Sequence, residues 1–288
     1  MKILAIGDFQ GRFSKKLEEG IKKEEFDLIV GVGDYGGIDD WYPWVMADLK
    51  SSKEGRGRIS PKDFFGKRKL KEIIKRDILA TKNVFGKLNY FGKPVIMVFG
   101  NGDDLWYSYP FAGKKDRVDK NIRRFFKKLR NIKEITYGNA YFKGVDFLGF
   151  GGYMDIEVYL DKKVFLEAAQ RDNYSARLKR LRESRKNFFG RMKKSHNEKI
   201  FVFHYPPLGV FDIIKSKKNN PMKGKSAGVR FFREAILKYK PKLVLCGHMH
   251  EYQGVKRIGR TFVVNPGDAE KNKYAIIDYP EMKFIFVS

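Results

Sequence analysis

Three segments of the chain repeat one plan: a short apolar run, a glycine, and then a carboxylate or amide. They are KILAIGD, FDLIVGVGD and KPVIMVFGNGD, which place Asp8, Asp34 and Asn101 just past three apolar runs. Stretches over 13–24 and 62–91 lie between them, and Leu70, Ile73, Ile74, Ile78 and Leu79 in the second recur at helical spacing with Lys and Arg on the other faces. Strands that alternate with helices require an α/β sheet. Polar residues that end successive strands then gather at the carboxyl edge of that sheet, where open α/β folds bind ligands.

The rest of the chain can be divided in the same way. Ile122, Phe125, Phe126 and Leu129 mark a further basic amphipathic helix, followed by short strands ITYG, NAYFKG and VDFLGFGG. Residues 155–198 read as a charged helical insertion or cap, with Leu178, Leu181, Phe188 and Met192 as a thin apolar stripe. The sheet resumes with KIFVFHYPP, a helix near 226–239, and KLVLCGHMH. The segments EYQGVKRI, RTFVVNPG, KYAIIDY and KFIFVS alternate in period two and are expected to form an antiparallel meander. The expectation is one domain over residues 1–288, with the insertion as its only elaboration.

Three of the four histidines, His204, His248 and His250, follow apolar strands, whereas His196 in MKKSHNEK has no such setting and is expected to be exposed. As alternate residues on an extended segment, the pair in Gly247-His248-Met249-His250 keeps two imidazoles close while aiming them differently, so that two neighbouring metal ions could share them. Asp8, Asp34 and Asn101 add oxygen donors, and a mixed imidazole and oxygen set suits Mn²⁺, Fe, Zn²⁺ or Ni²⁺ better than Ca²⁺ or Cu⁺. Carboxylates clustered without a cation would repel; a pair of divalent ions, Mn²⁺ foremost, relieves that repulsion and activates water. Gly7, Gly33, Gly100 and Gly247 each precede one of these residues, so the backbone can turn sharply there. Arg12, four residues past Asp8 at an expected helix start, reads either as a clamp for a substrate phosphate or as an exposed helix-start arginine.

The charge is strongly basic, +26 overall, and it is localised. Residues 50–82 hold twelve basic against four acidic side chains, residues 114–133 ten against two, and residues 171–199 eleven against three, so the segments that carry the site candidates are close to neutral. Such blocks attract polyanions, nucleic acid above all. The alternative is a Lys-rich solvated surface. No apolar run reaches the roughly 18 residues of a spanning helix. Cys246 stands alone within an apolar strand, which excludes an internal disulfide and suits a cytoplasmic location.

The ordered set GD, GD, GN, H and GHxH resembles the calcineurin-like metallophosphoesterase superfamily across nearly the whole chain. The resemblance implies a β-sandwich flanked by helices and a metal-dependent phosphoesterase that uses a metal-activated hydroxide to hydrolyse the phosphodiester or phosphomonoester bonds of an anionic phosphate substrate. It implies that Asp8 and His250 hold a first metal, that Asp34 bridges, and that Asn101, which also faces substrate, joins His204 and His248 around a second. It gives the turn Asn265-Pro266-Gly267 a part in shaping the site. The chain departs from the family pattern at three places. Gln10 stands where the first motif has histidine, and its amide oxygen is a poorer ligand for a transition metal. Gly37 replaces a supporting aspartate. Gly102 replaces the histidine that donates a proton to the leaving group, a function worth about 10²–10⁴ in rate, which leaves Asp103 or Asp104 as substitutes. Six retained ligand positions favour catalysis; the departures favour a catalytically weak nucleic-acid-binding or protein-interaction scaffold.

Overall fold

The computed structural model of the chain describes residues 1–57, 59–106, 120–152, 174–215 and 220–288. Strands β1 (Lys2–Ile6), β2 (Leu28–Gly31), β3 (Val95–Met97) and β4 (Ile132–Glu134) lie parallel in one sheet. Strands β5 (Asn139–Phe142), β6 (Val145–Phe150), β7 (Glu198–Phe203), β8 (Leu243–Leu245), β9 (Gly254–Ile258) and β10 (Thr261–Asn265) form a second sheet in the order β5-β6-β7-β8-β10-β9. Strands β11 (Tyr274–Asp278) and β12 (Lys283–Val287) complete the first, in the order β12-β11-β1-β2-β3-β4.

Two-sided burial explains why the central strands are apolar at every position. In β1, Ile3 and Ala5 face the other sheet and join Val30, Ile96, Phe147, Val202 and Leu245 in the core between the sheets. Leu4 and Ile6 face outward, against α1 (Lys15–Lys22), through Leu17 and Ile21, and against α3 (Pro61–Tyr90), through Val84, Phe85 and Leu88. On the far side, Phe188 and Met192 of α5 (Tyr174–Lys194) and Phe231, Phe232 and Ile236 of α6 (Arg230–Tyr239) cover Phe201, Phe203 and Val244. The helices and the two sheets thus stack as helix, sheet, sheet, helix. Further helices are α2 (Tyr42–Lys53) and α4 (Lys120–Lys127).

The helices expected over 13–24, 62–91 and 226–239 are α1, α3 and α6; α3 is broken at Gly66, whose φ of 73° interrupts the helical backbone. Of the expected insertion, residues 155–173 lie outside the described residues, as do the side chains of Leu178 and Leu181; from Tyr174 to Lys194 the chain is helical. The C-terminal strands do not form one meander. β9 and β10 pair as a hairpin that β10 joins to β8, while β11 and β12 pair on the edge of β1 in the other sheet. Period-two alternation identifies a strand and leaves its partner open, and here the link between Asn265 and Tyr274 crosses from one sheet to the other. ITYG is also no strand: pairing ends at Glu134, and Gly138 closes a turn onto the Ile135 carbonyl. Among the described residues, no helix is long and apolar enough to cross a membrane.

Candidate metal centre

The predicted residues converge where the central strands of both sheets end. Asp8 follows β1, Asp34 follows β2 and Asn101 follows β3, while His204 follows β7 directly and His248 and His250 follow β8. The loops bind one another through the backbone: Asp8 N–H donates to the Gly33 carbonyl (2.9 Å) and Phe9 N–H to the Asp34 carbonyl (2.8 Å). Asp8, Asp34 and His248 all adopt left-handed φ values, 57°, 53° and 67°. Non-glycine residues held there cost about 1–3 kcal/mol each and cluster at functional sites. The two histidines therefore sit on a tight turn and not on the extended segment expected. Gly33 is required on two counts, since its φ is 106° and a Cβ would come within 2.5 Å of His204 Nδ1.

Two overlapping groups result. Asp34, His204 and His248 offer ligand atoms within 4.8 Å of one another, and so do Asp8, Asp34 and His250. Asp34 belongs to both. Asn101 Oδ1 joins the first group, 2.8 Å from His204 Nε2 and 2.7 Å from His248 Nδ1. His204 Nδ1 faces the Val32 carbonyl at 2.8 Å, so the ring proton belongs on Nδ1 and Nε2 keeps its lone pair. Burial, with the neighbouring imidazoles, pushes the His248 pKa well down, which keeps that ring neutral and able to ligate.

Asp8 is fully buried. Its Oδ1 accepts the His248 backbone N–H at 3.0 Å, and its Oδ2 has no hydrogen-bond partner among the described residues. Burial, only partly offset by His250, raises its pKa to about 6. A buried, unpartnered carboxylate oxygen is costly, and a divalent cation is the partner that such a donor set supplies. The residues therefore fit divalent metal ions.

The remaining candidates lie around this core. Gln10 Nε2 is 3.5 Å from Asp34 Oδ2, at the edge of hydrogen-bonding distance. Arg12 is tied to Asp39 (2.6 Å) and Glu270 (2.7 Å). Asp103 is buried, and its two oxygens accept the backbone N–H groups of Gly36 and Gly100, both at 2.8 Å; burial and Asp34 hold its pKa well above the carboxylate range. Its carboxyl thus binds two site loops together. A side chain at Gly102 would crowd Gly37 Cα at 3.1 Å and Asp34 Oδ1 at 3.2 Å, and the bare backbone N–H there donates to Asp34 Oδ1 at 2.7 Å. The Asn265 amide donates to the Met249 carbonyl (3.3 Å) and so braces the turn between the two histidines.

Three features escaped the sequence reading. Asp77, in basic α3, accepts from Gly37 N–H (3.0 Å) and the Trp41 indole N–H (2.8 Å), steadying the loop after Asp34. Only its position, facing inward on a helix otherwise rich in Lys and Arg, signals this. The crossover after Asn265 holds the Asp8 loop, through Ala269 N–H to the Gly7 carbonyl and Glu270 N–H to the Asp8 carbonyl. Asp268, buried beside it, pairs with Lys271 at 2.6 Å.

The fold is thus a helix-flanked pair of sheets with candidate Asp and His ligands gathered at the ends of its central strands. The chain belongs to the calcineurin superfamily of metallophosphoesterases: the family model described as metallophosphoesterase, calcineurin superfamily, matches residues 1–286. Among solved structures, one crystal structure is similar at a TM-score of 0.62 with 20% identity, covering 100% of this chain and 98% of that one. The crystal structure of TT1561 of Thermus thermophilus is similar at a TM-score of 0.53 with 18% identity, again over 100% and 98% of the two chains. No curated protein matches the sequence.

Proposed function

We propose that the chain is a single metallophosphoesterase domain, elaborated by the basic helical insertion over 155–198, that hydrolyses phosphodiester bonds with two divalent cations, Mn²⁺ first among them, and that it acts on nucleic acid or nucleotides in the cytoplasm. The observation that carries the reading is the sharing of Asp34 between two ligand groups. In this reading His204, His248, Asn101 and Asp34 hold one cation, and Asp8, His250 and Asp34 the other, with Gln10 beside the second. Bound cations of this kind lower the pKa of a coordinated water and neutralise charge on phosphoryl oxygens.

The chain's own residues supply orientation. Val32 fixes the His204 ring through Nδ1, Gly102 N–H holds one oxygen of Asp34, and Asp103 ties the Gly36 and Gly100 loops into one frame. Gly102 offers no side chain for proton donation to a leaving group, and both oxygens of Asp103 are engaged by backbone N–H groups. Substrates with good leaving groups are favoured accordingly. Arg12, at the rim, is paired with Asp39 and Glu270, and these two carboxylates compete with a phosphate for its guanidinium.

The test is hydrolysis of a chromogenic phosphodiester by the wild type and by Asp34→Ala, with Mn²⁺, Fe²⁺, Zn²⁺ or Ni²⁺. Metal-dependent turnover that falls at least about 100-fold in the variant supports the reading. Equal inertness of both proteins with every metal supports the second reading, a scaffold, which Gln10 and Gly102 favour.

A further inference from the structure

Beside the metal centre the molecule leaves an aromatic surface open. Trp41 packs edge-on against Trp44 (6.0 Å between centroids) and Phe65 (6.1 Å), and Phe65 against Phe64 (4.9 Å). Around them Tyr42 is 59% and Phe64 40% exposed. The indole N–H groups are satisfied inward, Trp41 by Asp77 and Trp44 by the Ile59 carbonyl, so the polar ends of both tryptophans are anchored in the protein. The anchor of Trp41 is also the anchor of the site: Asp77 binds Gly37, three residues past Asp34.

The surface has a basic rim. Lys62, Lys67, Arg68 and Lys69 are exposed on either side of the Gly66 kink, and Lys69 Nζ stands 5.5 Å from the Phe65 ring centre. Lys62, Lys67 and Lys69 have no carboxylate partner among the described residues. Open rings among unpaired cations fit a ligand that carries both π-faces and regular negative charge. Single strands of nucleic acid expose base faces to stacking, and a duplex hides them.

We infer that Phe64, packed on Phe65 of this cluster, and Tyr42, next to Trp41 in the chain, form a base-stacking platform that guides single-stranded nucleic acid toward the Asp34 centre. The direction of the strand rests on the phosphoesterase reading; binding to the platform does not require turnover.

The experiment uses the full chain and a fluorescein-labelled fifteen-residue oligothymidylate, with the matching duplex, inorganic polyphosphate and polyglutamate as competitors. Stacking contributes enough per base that Tyr42→Ala/Phe64→Ala is expected to weaken single-strand binding by at least about tenfold. The same variant should bind base-free polyphosphate within about twofold of wild type, which also reports that it is folded. Lys67→Ala/Lys69→Ala should weaken both ligands. Unchanged single-strand affinity in the aromatic variant, equal preference for duplex, or competition by polyglutamate as effective as by unlabelled oligothymidylate overturns the inference. A wild type that binds the oligonucleotide but hydrolyses no phosphodiester removes the catalytic reading and leaves the platform standing.

Discussion

The two halves of the metal centre are built to different standards. Around His204 and His248, the Asn101 oxygen sits within 2.8 Å of both imidazoles, His204 is fully buried, and its ring is fixed by the Val32 carbonyl. Around Asp8 and His250, the two side chains approach to 3.6 Å, the His250 side chain is 34% exposed, and one Asp8 oxygen has no hydrogen-bond partner among the described residues. Gln10 stands at 3.5 Å from Asp34 where the family pattern has an imidazole. One half is held by close side-chain contacts and the other is looser. The difference predicts two cation sites of unequal strength that share a carboxylate.

The most severe way to break that comparison is to delete one ligand from each half. His204→Ala should abolish the tighter Mn²⁺ binding event seen by calorimetry. The loss should exceed the roughly 10–100-fold that removing an outer-shell partner of a ligating imidazole costs. His250→Ala should weaken only the second event. Equal effects on both events would mean that the halves are not distinct.

A second effect follows from Asp8 in metal-free protein. Its pKa in the folded state, about 6, lies above the ordinary 3.8, so the protonated carboxyl is the form that folding favours. Its contribution to stability is fully present below the unfolded value and is lost as pH rises through about 6. The displacement corresponds to about 3 kcal/mol. Denaturant melts in chelator should therefore lose stability between pH 4 and 6.5 in the wild type, with a flatter profile in Asp8→Asn. Identical profiles would show that Asp8 is not the strained group.

The smallest expected effect is a gain. Gln10→His offers an imidazole in place of an amide beside Asp34, and should tighten the weaker Mn²⁺ event by roughly tenfold while leaving the tighter one unchanged. No change would mean that position 10 does not reach the cation.

Legibility in the sequence did not follow the two halves, and for a physical reason. A residue within a few positions of the end of an apolar strand inherits its position from the sheet, so the convergence of Asp8, Asp34, Asn101 and His204 follows from local pattern. His248 and His250 were found by spacing, although the φ of 67° at His248 makes their segment a turn. What could not be read depends on partners distant in the chain. Arg12 looks free in sequence and is held by Asp39 and Glu270, the second 258 residues away. Asp103 looks like a spare acid and instead spans two loops. The C-terminal strands advertise their period but not which sheet they join, and α2, carrying Pro43 and one of the two clustered tryptophans, shows no clear apolar stripe in its sequence.

The most direct test is anomalous diffraction from a crystal soaked in Mn²⁺ and phosphate. The unequal-halves account predicts a strong peak among Asn101, His204, His248 and Asp34, and a weaker peak among Asp8, His250 and Asp34 whose occupancy rises in Gln10→His. A single peak on the Asp8 side, or none at either group, would contradict it.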